Sequence, residues 1–153
     1  MKRTYIITLL LTFCSLATYA QSDDNFFDRF ADWEGVSSVY ISKAMLGMMP
    51  NIKTEGVNIG SITGKLDNIQ ILSSEAKSVI ARMRKELGYV SPKNGYEQLM
   101  RTKEDGESTS IYIKQLKAGK REFVLISDEK DELSVIVVRG DLSMKDIQGI
   151  VPK

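Results

Sequence analysis

The chain has 153 residues, enough for one domain of ordinary size, with 21 Lys and Arg against 20 Asp and Glu and a formal net charge of +1. That balance offers no long-range attraction to nucleic acid or to an anionic membrane. There is no His and a single Cys, which excludes Ser-His-Asp triads, Cys-His dyads, HExxH zinc sites and imidazole acid–base chemistry. Hydrophobic residues at 42% and charged residues at 27% are the proportions of a globular protein with a packed core.

Residues 1–20 read as a cleaved export signal. Lys2 and Arg3 are followed by an apolar run through Ile6, Ile7, Leu9, Leu10, Leu11, Phe13 and Leu16, and Ala17-Thr18-Tyr19-Ala20 precedes Gln21. The apolar stretch is shorter than the roughly 20 residues that span a bilayer, so no integral membrane span is expected. Cys14 follows Leu11-Thr12-Phe13, with an aromatic residue where a lipidation signal has a small one, so no lipid anchor is expected. Cleavage after Ala20 would leave a cysteine-free mature chain with one net negative charge. The expected location is the periplasm, or the medium beyond it. Without a disulfide, such a chain relies on its core alone.

The mature chain, residues 21–153, reads as one α+β domain: an N-terminal amphipathic helix over 21–34, then sheet and helices over 35–153. Asp23-Asp24-Asn25 offers a helix cap, and Phe26, Phe27, Phe30, Ala31 and Trp33 recur behind it at helical spacing. Core packing is one use of those rings. Docking of a partner is the other, and it makes Phe26, Phe27, Phe30 and Trp33 the candidate partner-binding residues. After Gly35, the run Val36, Val39, Tyr40, Ile41 has strand character. Ser42 then caps a helix carrying Ala44, Met45, Leu46, Met48, Met49 and Ile52, limited by Pro50.

The Gly-, Asn-, Thr- and Ser-rich stretch from Lys53 to Gly64 reads as a loop, and Leu66, Ile69, Ile71 and Leu72 as a second strand. Ser73-Ser74-Glu75 opens the clearest helix, with Ala76, Val79, Ile80, Met83 and Leu87 on one stripe and Gly88 at its end. From Tyr96 the hydrophobic period becomes two. Strands are expected over Tyr96–Lys103, Ser108–Leu116, Glu122–Ser127 and Leu133–Arg139, joined by tight turns that make antiparallel neighbours. Ser143 then caps a terminal helix with Met144, Ile147, Ile150 and Val151. The pattern implies a two-layer sandwich. An antiparallel or mixed sheet, including this C-terminal four-strand meander, is covered by helices on one face, and the order of its strands is left open.

Several short motifs have plainer readings. Ser74-Glu75-Ala76-Lys77 matches S-x-x-K, but the companion motifs of that chemistry are absent and Ser74 is expected to cap its helix. Gly60 to Leu66 is a residue short of a phosphate loop, with Leu66 where Ser or Thr should bind Mg²⁺. The acidic turn Asp128, Glu129, Asp131, Glu132 lacks the order of an EF-hand loop and contains Lys130, so a solvated hairpin is expected. Met45, Met48, Met49 and Met83 read as core filler. Tyr40, Tyr96 and Tyr112 lie in strands, as core or as stacking platforms. No catalytic residue, metal ligand or cofactor is indicated.

Gly35 to Leu46, Gly95 to Arg101 with Glu104-Asp105-Gly106-Glu107, and Phe123 to Ile126 through Arg139-Gly140-Asp141-Leu142 together resemble the exported domain-of-unknown-function family of Gram-negative bacteria numbered 4252. The resemblance covers nearly all of the mature chain and carries over no functional residue. It implies a small exported protein without established activity. Some relatives are sometimes lipidated, and some are encoded near extracytoplasmic sigma-factor genes, an association with envelope signalling. The expected function is a non-enzymatic periplasmic binding or interaction module, linked to that signalling, that recognises an envelope protein or peptide through a sheet face or edge. The alternative is a small carboxylate-dependent enzyme acting on an envelope glycan, because two carboxylates suffice for glycoside hydrolysis. The sequence sets no oligomeric state.

Overall fold

The computed structural model describes residues 26–49, 53–54, 57–58, 60 and 62–148. The export-signal reading, the cleavage site, Cys14, the cap at Asp23-Asp24-Asn25 and the terminal Ile150 and Val151 lie outside them. In chain order the elements are α1 (Asp28–Ala31), β1 (Ser37–Ser42), α2 (Lys43–Met48), β2 (Lys53–Thr54), β3 (Val57–Asn58), β4 (Leu66–Ser74), α3 (Lys77–Leu87), β5 (Tyr96–Glu104), β6 (Glu107–Gln115), β7 (Arg121–Asp128), β8 (Leu133–Gly140) and α4 (Met144–Gln148). β2 and β3 form a two-residue ladder of their own.

The meander β5 to β8 forms as the alternating pattern requires. Asp105 and Gly106 both take positive φ at the first hairpin, the conformation that matches the twist of the flanking strands. The sheet extends beyond the meander. β4 pairs with β8 from Leu66↔Gly140 to Ser74↔Leu133, and β1 pairs with β4. The result is one six-strand, wholly antiparallel sheet in the order β1-β4-β8-β7-β6-β5.

Helices sit on both faces, rather than on one as the sequence pattern implies. On the first face, Ile80, Met83 and Leu87 of α3 meet Leu72, Val124, Val135 and Val137, and Phe26, Phe27 and Phe30 complete this core. On the second face, Leu46 of α2, Ile62 and Leu142 cover Leu66 and Ile69, while Ile147 of α4 joins Ile111, Ile113 and Phe123. Both follow from strand geometry, since neighbours such as Ile71 and Leu72 point to opposite sides.

Local chemistry sets the helix ends. Ser42 Oγ accepts from the Met45 amide at 3.3 Å. Ser143 and Asp146 form a reciprocal box, with the Asp146 amide donating to Ser143 Oγ at 3.2 Å and the Ser143 amide to Asp146 Oδ2 at 2.8 Å. The Ser73-Ser74 start expected for α3 belongs to β4, and the helix begins at Lys77. Ser74 Oγ donates to the Gly35 carbonyl at 2.7 Å and accepts from the Ala76 amide at 3.3 Å. It fixes the strand-to-helix corner and does not cap the first turn.

Two backbones pass closely at Gly140, where the Asp141 amide donates to the Lys65 carbonyl at 2.9 Å. A Cβ at position 140 would lie 2.3 Å from that carbonyl oxygen and 2.9 Å from Leu66 Cα. Gly140→Ala is therefore expected to separate the ends of β4 and β8 and to lower the thermal midpoint by several degrees, on the order of 1–3 kcal/mol. Phe30→Ala, which opens a cavity in the first core, is expected to cost about 3–5 kcal/mol by denaturant titration. An unchanged midpoint for either variant would contradict this packing.

Candidate functional site

The aromatic residues that the sequence offers for partner docking are built into the first core. Phe26, Phe27 and Phe30 are buried, and Phe26 meets Phe27 and Phe30 edge-on at 4.9 and 5.4 Å between centroids. Phe26 also stacks on Tyr89 at 4.2 Å. Trp33 is half-buried and lies under the Arg82 guanidinium at 3.6 Å. α3 and the sheet enclose the three Phe rings, so core packing is the use the structure makes of them.

The methionines go the other way. Met83 is in the core, but Met45, Met49 and especially Met48, at 78% exposure, lie at the surface. Only Leu46 of α2 is buried, so the helix is anchored by one residue and turns its methionines outward. Met144 of α4 is likewise exposed. Of the tyrosines, Tyr96 is core, Tyr112 packs against the core from a half-buried position, and Tyr40 is 61% exposed.

Strand register organises the second face into rows. One row crosses all six strands as Ile41, Ile69, Val138, Phe123, Ile113 and Glu97, and the coverage by α2 and α4 centres on it. The next row is Val39, Ile71, Ile136, Leu125, Ile111 and Met100. Of these only Ile111 is fully buried, and Val39 is 47% exposed. The row beyond it is Ser37, Ser73, Ser134, Ser127, Thr109 and Thr102, a hydroxyl on every strand and none fully buried. The face thus grades from covered apolar, through open apolar, to open hydroxyl.

At the hydroxyl end, Thr102, Thr109, Ser127, Glu104, Glu107 and Glu129 line a shallow groove of about 260 Å³. Asp128, the last residue of β7 before the neighbouring turn, is held by Arg84 of α3 through contacts of 2.6 to 3.0 Å. The guanidinium pKa is raised chiefly by those hydrogen bonds. The hairpin is therefore charged and solvated, as its sequence implies, and Arg84 ties it to α3 at the Asp128 carboxylate and, at 3.3 Å, at the Glu129 carbonyl. Among the described residues, no group of three or more His, Cys, Asp or Glu is placed to hold a metal, and no helix is long and apolar enough to cross a membrane.

The first face holds a buried polar chain that sequence reading missed. Tyr96 Oη donates to Glu122 Oε1 at 2.6 Å, Arg139 Nε donates to Glu122 Oε2 at 2.6 Å, and Arg139 Nη1 donates to Asn68 Oδ1 at 3.3 Å. Glu122 is only 3% exposed. Burial pushes the Tyr96 phenol far above its usual range, and the Glu122 charge adds to the effect, so Tyr96 stays a donor. The available signal was parity. Glu122 and Arg139 fall in step with Val124 and Val137, at positions that face α3.

Nearby, Asp67 accepts from Lys120 and lies 3.5 Å from Lys43. The Lys120 hydrogen bond holds the Asp67 carboxyl below its usual value against some desolvation. Lys65, which stands in the stretch resembling a phosphate loop, instead pairs with Asp146 at 2.8 Å. Asp146 is held well below the carboxylate range, first by Lys65 and then by Ser143.

This architecture defines a small α+β protein built on one six-strand antiparallel sheet with one face half open. Residues 30–150 match the model of the family described as Domain of unknown function (DUF4252), and the chain belongs to that family. A crystal structure of PA94, a protein of unknown function from Pseudomonas aeruginosa, is similar at 12% identity and a TM-score of 0.33, covering 80% of this chain and 87% of that one. No curated protein matches.

Glu122→Gln is expected to destabilise the fold by about 3 kcal/mol, because it removes a buried carboxylate and leaves the largely buried Arg139 without its counter-charge. Tyr96→Phe should cost about 1–2 kcal/mol, read by denaturant titration. Asp67 and Asp146 have folded-state pKa values below their unfolded ones, so in acid the unfolded chain takes up protons first. Their stabilisation is complete above the ordinary carboxylate pKa and is lost as pH falls below it. Wild type should therefore lose thermal stability below about pH 4. A double Asp67→Asn, Asp146→Asn variant should start lower at neutral pH and show a flatter acid limb; parallel limbs would refute the assignment.

Proposed function

We propose that the protein is a non-enzymatic interaction module of the bacterial envelope, exported behind a cleaved leader, that meets a protein partner through the open half of the second sheet face. The observation that carries this reading is the register of that face. A full-width apolar row, incompletely covered on every strand but β6, where Ile111 is buried, runs beside a full-width row of hydroxyls. An apolar band with a polar margin is the composition of a protein-contact surface. The outward methionines of the two helices seated on this face add pliable apolar area of the kind found on binding surfaces. The neighbouring groove, at about 260 Å³, is smaller than the roughly 300–1,000 Å³ of ordinary small-molecule sites. Export rests on Lys2, Arg3, the apolar run and Ala20.

A photo-crosslinking side chain placed at Ile136 or Ser127, in cells producing the tagged chain, is expected to give one dominant adduct. The same group at Lys85, on the outer side of α3, should give none. Leu125→Asp should reduce the Ser127 adduct roughly tenfold, the effect of about 1.4 kcal/mol of lost contact. Adducts from Lys85 alone, or equal adducts from all three positions, would overturn the assignment to this face.

A further inference from the structure

The two edges of the sheet differ in kind. β5 carries Glu97, Arg101, Lys103 and Glu104 and has a bulge between Gln98 and Met100. Charge and irregularity of this sort keep an exposed strand from pairing with another chain. β1, at the opposite edge, has neither. Its sequence is Ser37-Ser38-Val39-Tyr40-Ile41-Ser42, without a charge or a proline, and its register with β4 is unbroken. No strand pairs with its outer side among the described residues. Val39 is 47% and Tyr40 61% exposed.

The order of residues in β1 has a further property. Read from either end, Ser38-Val39-Tyr40-Ile41-Ser42 is hydroxyl, β-branched, aromatic, β-branched, hydroxyl. When two copies of a strand pair antiparallel across a two-fold axis normal to the sheet, directly opposed residues lie on the same face, so their numbers sum to an even value. Centring the axis on Tyr40 opposes Tyr40 to Tyr40, Val39 to Ile41 and Ser38 to Ser42. Each is a favourable cross-strand pair, and no like charges meet within these five positions.

The geometry points to a second copy of this chain as the occupant of the β1 edge, joined by antiparallel β1–β1 pairing about Tyr40 into a continuous twelve-strand sheet. Every second residue of β1 then gives its outward amide and carbonyl a partner. The half-open second faces of the two copies lie on the same side of the joined sheet. The inference is independent of the partner-binding role proposed above, because it rests on the edge and not on the face.

The test uses the full tagged chain as recovered from cells, in a Cys14→Ser background. Light scattering coupled to size exclusion should give twice the mass of one chain. Val39→Lys with Tyr40→Lys should give a single chain with an intact thermal transition, while Arg101→Ser with Lys103→Ser on β5 should leave the dimer in place. Under mild oxidation Tyr40→Cys should form a disulfide-linked dimer, because directly opposed Cα atoms lie about 4.5–5.5 Å apart, within disulfide range. Ser38→Cys should not, because its own copies would be about 13 Å apart along the strands. A single chain at every concentration would overturn the proposal. So would a dimer that survives the double lysine change, crosslinking at Ser38→Cys equal to that at Tyr40→Cys, or a different protein captured at Tyr40→Cys in place of the second copy. The cysteine pair keeps the test decisive if the lysine variant fails to fold.

Discussion

The pairing of β4 with β8 is the constraint on which the rest of the structure depends. It joins two segments some seventy residues apart in register from Leu66↔Gly140 to Ser74↔Leu133, and it makes a hairpin meander into a six-strand sheet. Once β4 is seated, its alternate residues are committed. Leu72 belongs to the aromatic core under α3, and Ile69 to the smaller core under α2. β1 can then add only on the outer side of β4, which creates the edge at Val39 and Tyr40. Ser74 donates to the Gly35 carbonyl and so fixes the approach to that edge from the same strand. The close passage of Gly140 against Lys65 and Leu66 shows how little freedom this pairing leaves.

Both faces of the sheet carry helices, but unequally. α3 has eleven residues and three fully buried side chains, whereas α2 and α4 have six and five residues with one each. A short helix anchored at one point cannot shield a sheet that is six strands wide. The open apolar and hydroxyl rows follow directly from that shortage of cover, and the proposed contact role follows from those rows. Polar groups are divided accordingly. The first face buries Glu122 with two strong partners, and the second leaves its hydroxyls and outer carboxylates toward solvent.

The parts of this fold legible in the sequence were those with short-range causes. The period-two strands of the meander, the Asp105-Gly106 turn, the Ser42 and Ser143 caps and the stripe Ile80, Met83, Leu87 are each written within a few residues. The one-sided cover was misjudged because Leu46 and Ile147 give no hint of which face they will meet. That is decided by register with strands far away in sequence. The methionines of α2 misled for a related reason, since core and surface methionines look alike until the buried side of the helix is known. The hydroxyl row consists of one Ser or Thr in each strand, unremarkable singly and visible only once six registers are aligned. Glu122 and Arg139, linked to Tyr96 in the buried chain, give no sign of burial because a charged residue inside a strand ordinarily marks the solvent side.

The hydrogen bond from Tyr96 to Glu122 has a mechanical consequence. Tyr96 sits on β5 opposite Lys114 of β6, and Lys114 sits opposite Glu122 of β7, so the bond passes over an entire strand. β5 is thereby latched to the interior at its first residue, independently of its ladder with β6. An outermost strand normally frays from both ends. This one is pinned where the chain enters from α3, so its slow amide hydrogen exchange should concentrate near Tyr96 and decline toward Glu104, giving the sheet one closed end and one end that breathes.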